Sequence, residues 1–398
     1  MISVEEALRR ITKGVPPAQQ EHIPLLEADG RTLAEDLSAR ITQPPFDASA
    51  MDGYAVRAHD VATLPATLAV IGEAAAGHGF SGKVGIGQAV RIFTGAPLPD
   101  GADAIVIQEN ATRSGSQIIV TENCPDPRHI RHQGIDFRKG AHLLKAGSRL
   151  TPRSITLAAA MGYADLPVRR KPTVALIATG DELTLPGAPM APHNIICSNP
   201  FGIAGVIERA GGRAAFLGIA RDERTHLAGL CAAGLDADIL VTIGGASVGD
   251  HDIVAEVLQS QGMVLDFWRI AMRPGKPLMF GKFQDTRVIG LPGSPVSALI
   301  CTRIFIVPLL EALLGYQTPA TNLQTAIVTE ALPQNGPRQH YMRAISQGSG
   351  DDQRVTPVKS QDSSLLSTLA AADVLVVRAP HAPVIKPGER VNILPLDF

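Results

Sequence analysis

The chain has 398 residues, which at roughly 150 residues per domain implies between two and three domains. Lysine plus arginine number 36 against 38 for aspartate plus glutamate, a formal charge of −2, and aromatic residues are only 4% with a single tryptophan, Trp268. That balance argues against a nucleic-acid binder, an anionic-membrane binder or a base-stacking platform. Glycine and proline, 38 and 30 residues, exceed their average share of about 12%, while apolar content is an ordinary 45%; the chain is turn-rich rather than disordered.

The elements follow in chain order. The first residues, MISVEEALRRITKG, set Glu5 and Glu6 against Arg9 and Arg10 on a helical pattern, and residues 1–35 read as helical. With no apolar core and no small-residue cleavage site, this start does not read as a signal peptide. Residues 45–145 carry short β-like runs broken by Gly and Pro. Thr151–Met161 reads as a helix, with Thr151 as N-cap and Pro152 in the first turn. A helical start and a helical return make the β-rich part an insertion. The boundaries expected are 1–44 plus 141–170 for an N-terminal helical or linking domain and 45–140 for the inserted β-rich domain.

From Lys171 the texture changes. Strands are predicted at Thr173–Ala178, Ala214–Ile219 and Asp238–Ile243, and helices at Pro200–Ala210, Glu223–Ala233 and Asp252–Ser260. Extended pieces follow at Met263–Trp268, Leu278–Phe283 and Arg287–Gly290, then a helix over Pro295–Leu314 bent near Pro308. Such alternation predicts a doubly wound α/β domain over 171–317 with a mostly parallel central sheet. Residues 318–398 read as a small C-terminal β domain. The fold class is therefore multidomain α/β with a β-rich N-terminal insertion. The apolar run Leu299–Leu314 carries Arg303, Pro308 and Glu311, which a membrane span rarely tolerates. The four cysteines, Cys124, Cys197, Cys231 and Cys301, form no CxxC pair, so a disulfide framework or Cys₄ zinc site is not expected and a cytoplasmic location is.

Ligands of a doubly wound sheet bind beyond the carboxyl ends of its strands. The segments predicted on that rim are Thr179-Gly180-Asp181-Glu182-Leu183, Arg221-Asp222-Glu223, the run from Gly244 and Gly245 through Ser247 and His251 to Asp252, Arg273-Pro274-Gly275-Lys276-Pro277, and the run from Gly290 through Pro292, Ser294 and Pro295 to Ser297. Each has a purely structural use: Glu182, Asp222 and Asp252 suit helix starts, and the Gly/Pro runs suit tight turns. The glycine loop is not a P-loop, because no Lys-Ser/Thr follows its last glycine. Their recurrence on one rim argues for a ligand. Glycine amides, hydroxyls, cations and carboxylates together suit a phosphorylated ligand bridged by a divalent cation, magnesium or another divalent metal. In the insertion, Asp52 and Thr94 lie in turn-dense polar segments with Asp136. His129 and His132 sit three apart, a pair more often found in a solvated loop than on a metal.

SAMDGYA at 49–55, RIFTGAPLPDGADAIV at 91–106, GIDFRKG at 134–140, TGDEL at 179–183, TIGGASVGDHD at 242–252, RPGKP at 273–277 and GLPGSPVSA at 290–298 resemble, in order, the motifs of the molybdopterin molybdenumtransferases, the MoeA family that includes the E-domain of gephyrin. The resemblance implies a molybdopterin-binding (MogA-like) α/β domain and a C-terminal β-barrel-like domain. It implies cleavage of adenylated molybdopterin and placement of molybdate on the dithiolene, assisted by a divalent metal. It further implies a homodimer with a shared cleft, in which Asp52, Thr94 and Asp136 come from the partner, with transient contact to a molybdopterin adenylyltransferase and to apo-molybdoenzymes. By the same resemblance Glu182, Asp222 and Asp252 are the metal-facing carboxylates, and Gly244, Gly245, Ser247, Arg269, Arg273, Lys276, Pro292, Ser294, Pro295 and Ser297 contact substrate. Two positions depart from the family pattern: Ser294 stands where asparagine is commoner, and Arg273 where lysine often stands. The alternatives weighed are adenylyl transfer to molybdopterin by the α/β domain itself and a non-catalytic dimeric scaffold.

Overall fold

The computed structural model describes residues 1–122, 125–245, 253–316 and 323–398. Its centre is a six-stranded sheet in the order Arg213–Ala220, Thr173–Thr179, Ile239–Ile243, Thr286–Leu291, Met279–Phe283 and Val264–Trp268. The first four strands are parallel; Met279–Phe283 runs antiparallel to them, and Val264–Trp268 pairs antiparallel with it at the edge. The parallel strands read as continuous apolar runs because helices cover both faces. On one face pack the helices Asn199–Arg209 and Pro295–Leu314; on the other, Arg224–Gly234 and Ile253–Ser260.

The helix Pro295–Leu314 is long and apolar enough to cross a membrane, yet 83% of its apolar window is buried within the protein, as expected of a core helix. Its predicted bend takes a definite form. Residues Thr302–Ile306 widen into a π-helical turn in which the Val307 N–H bonds to the Thr302 carbonyl, just ahead of Pro308. One extra residue in the turn accommodates a proline that has no N–H to donate.

Residues 1–35 depart from the helical expectation. Only Val4–Thr12 is α-helical; Gln20–Pro24 is a strand and Leu25–Glu27 a single 3₁₀ turn. Gly14, at φ +64°, and the Pro16-Pro17 pair stop the helix. The strand then pairs antiparallel with Asp165–Arg169. The short helix inserts Val4, Ala7 and Ile11 beside Ile270 and Leu278 of the α/β region. Thr151 caps Pro152–Ala160 through a capping box with Ser154.

Residues 53–120 form a second six-stranded sheet, with separate apolar clusters around Tyr54, Leu68 and Ile118 and around Val90, Ile92 and Ile105. At the C-terminus, Gln324–Val328, Gln339–Gln347, Arg354–Pro357, Val374–Arg378 and Arg390–Pro395 close into a five-stranded barrel. The short strand Met272–Arg273 adds to its edge beside Gln339 and His340. That pairing brings the barrel against the loops at the carboxyl end of the central sheet.

Candidate active site

Two adjoining pockets lie on that rim. The larger, about 670 Å³, is bounded by the strand ends at Thr179, Ile243, Gly244 and Gly245, by Glu182, by the segment Ile195–Pro200, and by Pro292–Pro295. The smaller, about 390 Å³, is bounded by Arg273–Pro277, Ser297, Arg338 and Gln361–Ser363. Pro277, Pro292 and Ser294 line both, so the two spaces share a wall.

Local chemistry sets each wall. Gly244 has φ +94°, and a Cβ there would fall 2.9 Å from the Thr179 carbonyl oxygen; only glycine brings the two strand ends this close. Its N–H donates to the Leu291 carbonyl at 3.0 Å and is therefore engaged within the sheet. Gly180, at φ +140°, lets the Glu182 carboxylate fold back over it. Asn199 donates through Nδ2 to the Gly293 carbonyl at 2.7 Å, tying the segment before its helix to the proline loop. Ser294 Oγ donates to Ser297 Oγ at 2.8 Å across the first turn of the helix Pro295–Leu314.

The smaller pocket is cationic, with Arg273, Lys276 and Arg338 facing a single carboxylate, Asp362. Hydrogen bonds from the Ser364 N–H and hydroxyl hold the Asp362 carboxyl below its ordinary value, so it stays ionised. Its Oδ1 accepts both of those bonds. Behind the pocket His340 is buried among Arg273, Arg338, Arg378 and Arg343. Burial, with repulsion from those four guanidiniums, lowers its imidazole to about 4, and it is neutral at physiological pH.

Of the predicted residues, Gly244, Gly245, Glu182, Pro292, Ser294 and Pro295 line the larger pocket, and Arg273, Lys276, Pro292, Ser294 and Ser297 the smaller. Two lie elsewhere. Asp222 turns its N–H to Asp181 Oδ1 at 3.2 Å and lines neither pocket. Arg269, at φ +81°, donates its N–H to the Leu278 carbonyl, and its guanidinium lies 6.0 Å from the Trp268 ring centroid. Ser247, His251 and Asp252 fall outside the described residues. In the insertion, Asp52 accepts from the Thr94 N–H at 2.8 Å and its hydroxyl at 2.9 Å, which hold its carboxyl below the ordinary value. Asp136 is exposed, with its N–H on the Gln43 carbonyl. None of these three lines either pocket.

His132 turns to Asp47 at 3.1 Å and His129 to the Ile105 carbonyl at 3.3 Å, so the two do not converge. Among the described residues no group of three or more His, Cys, Asp or Glu is gathered for a metal. Sequence reasoning passed over Arg338 and the loop Gln361–Ser364, which come from the barrel. Arg338, just after Gly336-Pro337, is the one signal there, a cation at a turn before a strand.

Comparisons with known proteins agree along the whole chain. Residues 2–162 match the MoeA N-terminal region (domain I and II), 175–312 a probable molybdopterin binding domain, and 325–396 the MoeA C-terminal region (domain IV). The molybdopterin molybdenumtransferase of Haemophilus influenzae is 35% identical, covering 100% of this chain and 99% of its own; that of Bacillus subtilis is 33% identical, covering 99% and 94%. A crystal structure of a molybdopterin biosynthesis MoeA protein from Pyrococcus horikoshii superposes with a TM-score of 0.87 at 31% identity and 100% coverage of both chains. The fold and its rim thus define a multidomain enzyme of molybdenum cofactor biosynthesis. The chain belongs to the MoeA family, the molybdopterin molybdenumtransferases. Adenylyl transfer and a purely scaffolding role are not favoured, because the agreement takes in all three regions rather than the α/β domain alone.

Proposed function

We propose that the larger pocket holds adenylated molybdopterin and the smaller one molybdate, so that release of AMP and placement of molybdenum on the dithiolene occur across the wall they share. The adjacency of a roomy, largely apolar cleft edged by Thr179, Glu182, Ser198 and Asn199 and a smaller cationic pocket carries this reading. Arg273, Lys276 and Arg338 offset the oxyanion's charge, and the Arg273 guanidinium presents a planar fork where a lysine would present a point charge. Ser297 and Ser294 supply hydroxyl donors. Gly245, which lines the larger pocket, lets the backbone approach the phosphates, and Ser247 is a further proposed substrate contact.

A divalent cation fits the donors present. Magnesium commonly binds through one or two carboxylates, several waters and substrate phosphates, and Glu182 is the carboxylate lining the larger pocket. Asp222, which lines neither pocket as the chain stands, and Asp252 are the other carboxylates of the proposed set. Held there, such an ion would neutralise charge at the phosphate that is cleaved. The protein's own contribution is to aim Glu182 from the Gly180 turn and to exclude water with Ile195, Ile196 and the proline loop.

The proposed enzyme is a homodimer in which Asp52, Thr94 and Asp136 complete the cleft of the other copy. Supporting this, all three lie in the inserted region, Asp52 and Thr94 at strand ends of its sheet and Asp136 in a loop beside Gln43, and none lines either pocket of its own chain. A cytoplasmic location accords with three buried free thiols, Cys197, Cys231 and Cys301. Substrate arriving from a molybdopterin adenylyltransferase and product leaving to apo-molybdoenzymes make both transient partners. The test is reconstitution: purified protein with adenylated molybdopterin, molybdate and Mg²⁺ activates an apo-molybdoenzyme. Activation that is equally fast without the protein contradicts the proposal.

A further inference from the structure

The barrel loop that walls the smaller pocket is gathered around one side chain. Arg343 is only 1% exposed and is among the largest fully buried side chains of the molecule. It projects from the barrel strand Gln339–Gln347, and its guanidinium sits inside the loop that forms the pocket's far wall. One terminal nitrogen donates to the Leu365 carbonyl at 3.0 Å and to Thr368 Oγ1. The other donates to the Ser360 carbonyl at 3.2 Å and the Asp362 carbonyl at 2.8 Å. Gln361 completes the clasp, accepting from the Arg343 N–H at 2.9 Å through Oε1 and donating through Nε2 to the Arg343 carbonyl at 3.0 Å. The same loop is tied to the α/β domain where the Val296 N–H donates to the Ser363 carbonyl at 3.2 Å.

We infer that Arg343 is a positioning residue for the oxyanion: it curls residues 360–365 around itself and so sets Gln361, Asp362 and Ser363 opposite Arg273 and Lys276. This rests on the smaller pocket being the molybdate site. Burying a guanidinium is costly unless its donors are satisfied, and burial does lower the pKa of Arg343 from its ordinary value. A surface loop of this kind needs no buried cation to fold; an Asx turn from Asp362 to Ser364 is already present. What the arginine adds is a fixed curvature, because its planar fork reaches both ends of the loop at once. Lysine, a single ammonium, cannot hold Ser360 and Leu365 together.

The experiment compares Arg343→Lys, Thr368→Val and the parent by calorimetric titration with molybdate, by the KM for molybdate against kcat in AMP release, and by thermal melting. Thr368→Val removes one acceptor of the clasp and lines neither pocket. The inference expects Arg343→Lys to weaken molybdate binding about tenfold or more, and Thr368→Val a few-fold, with the KM for adenylated molybdopterin unchanged. A folded Arg343→Lys with parental molybdate affinity overturns it. If Arg343→Lys does not fold, Thr368→Val decides, and parental affinity there overturns the inference equally. The underlying site is tested separately by Arg273→Ala with Lys276→Ala: parental molybdate binding in that double variant removes the pocket assignment itself, whatever Arg343 does.

Discussion

Glu182 and the cations across the shared wall divide the proposed work, and their substitutions have different signatures. Glu182→Ala is expected to lower kcat for AMP release by roughly 10²-fold or more, since it removes charge handling at the cleaved phosphate, with melting unchanged because the side chain is exposed. Steady-state kinetics beside a melting curve check this, and a parental kcat contradicts it. His340 gives a prediction of a different kind. Its folded value of about 4 lies below the ordinary 6.5, so the unfolded chain takes up the proton first as pH falls. Stability is therefore whole above pH 6.5 and declines toward pH 4, by roughly 3 kcal/mol if the group acts alone. His340→Gln should flatten that part of the stability–pH curve measured by urea unfolding.

At the scale of elements, glycine turns fix where the site's side chains point. Gly275 lies between Arg273 and Lys276 at φ +106°, and a Cβ there would fall 2.5 Å from Cys301 Sγ in the core helix. Gly275→Ala is expected to cost about 2 kcal/mol in unfolding free energy and to raise the KM for molybdate, because the turn carrying both cations must shift. The elements of the central domain were legible in the sequence because apolar runs and Gly/Pro punctuation agree there: the strand predicted at Thr173–Ala178 is Thr173–Thr179, and the helix at Pro200–Ala210 is Asn199–Arg209. Residues 1–35 were less legible. Gln20–Pro24 is held as a strand by its partner Asp165–Arg169, about 140 residues away, a pairing that no local pattern announces. The rim loops were legible for the same reason as the strands that precede them. Arg338 and Gln361–Ser364 were not, since barrel closure and the Met272–Arg273 pairing bring them to the rim from outside the α/β domain.

For the whole molecule, the account depends on two kinds of long-range assembly. Within the chain, the barrel meets the α/β rim to complete the anion pocket. Between copies, the inserted sheet is proposed to complete the cleft of its partner. Mixing inactive Asp52→Ala and Glu182→Ala proteins after exchange of subunits should then restore roughly a quarter of parental activity, because half the dimers are mixed and one of their two clefts is intact. No recovery after verified exchange contradicts the shared cleft. The measurement that bears most directly on the central claim is AMP release from adenylated molybdopterin by the purified protein with Mg²⁺, with and without molybdate. The account predicts release that rises steeply on adding molybdate and is lost in Glu182→Ala. Binding of adenylated molybdopterin without any molybdate-dependent release would contradict it.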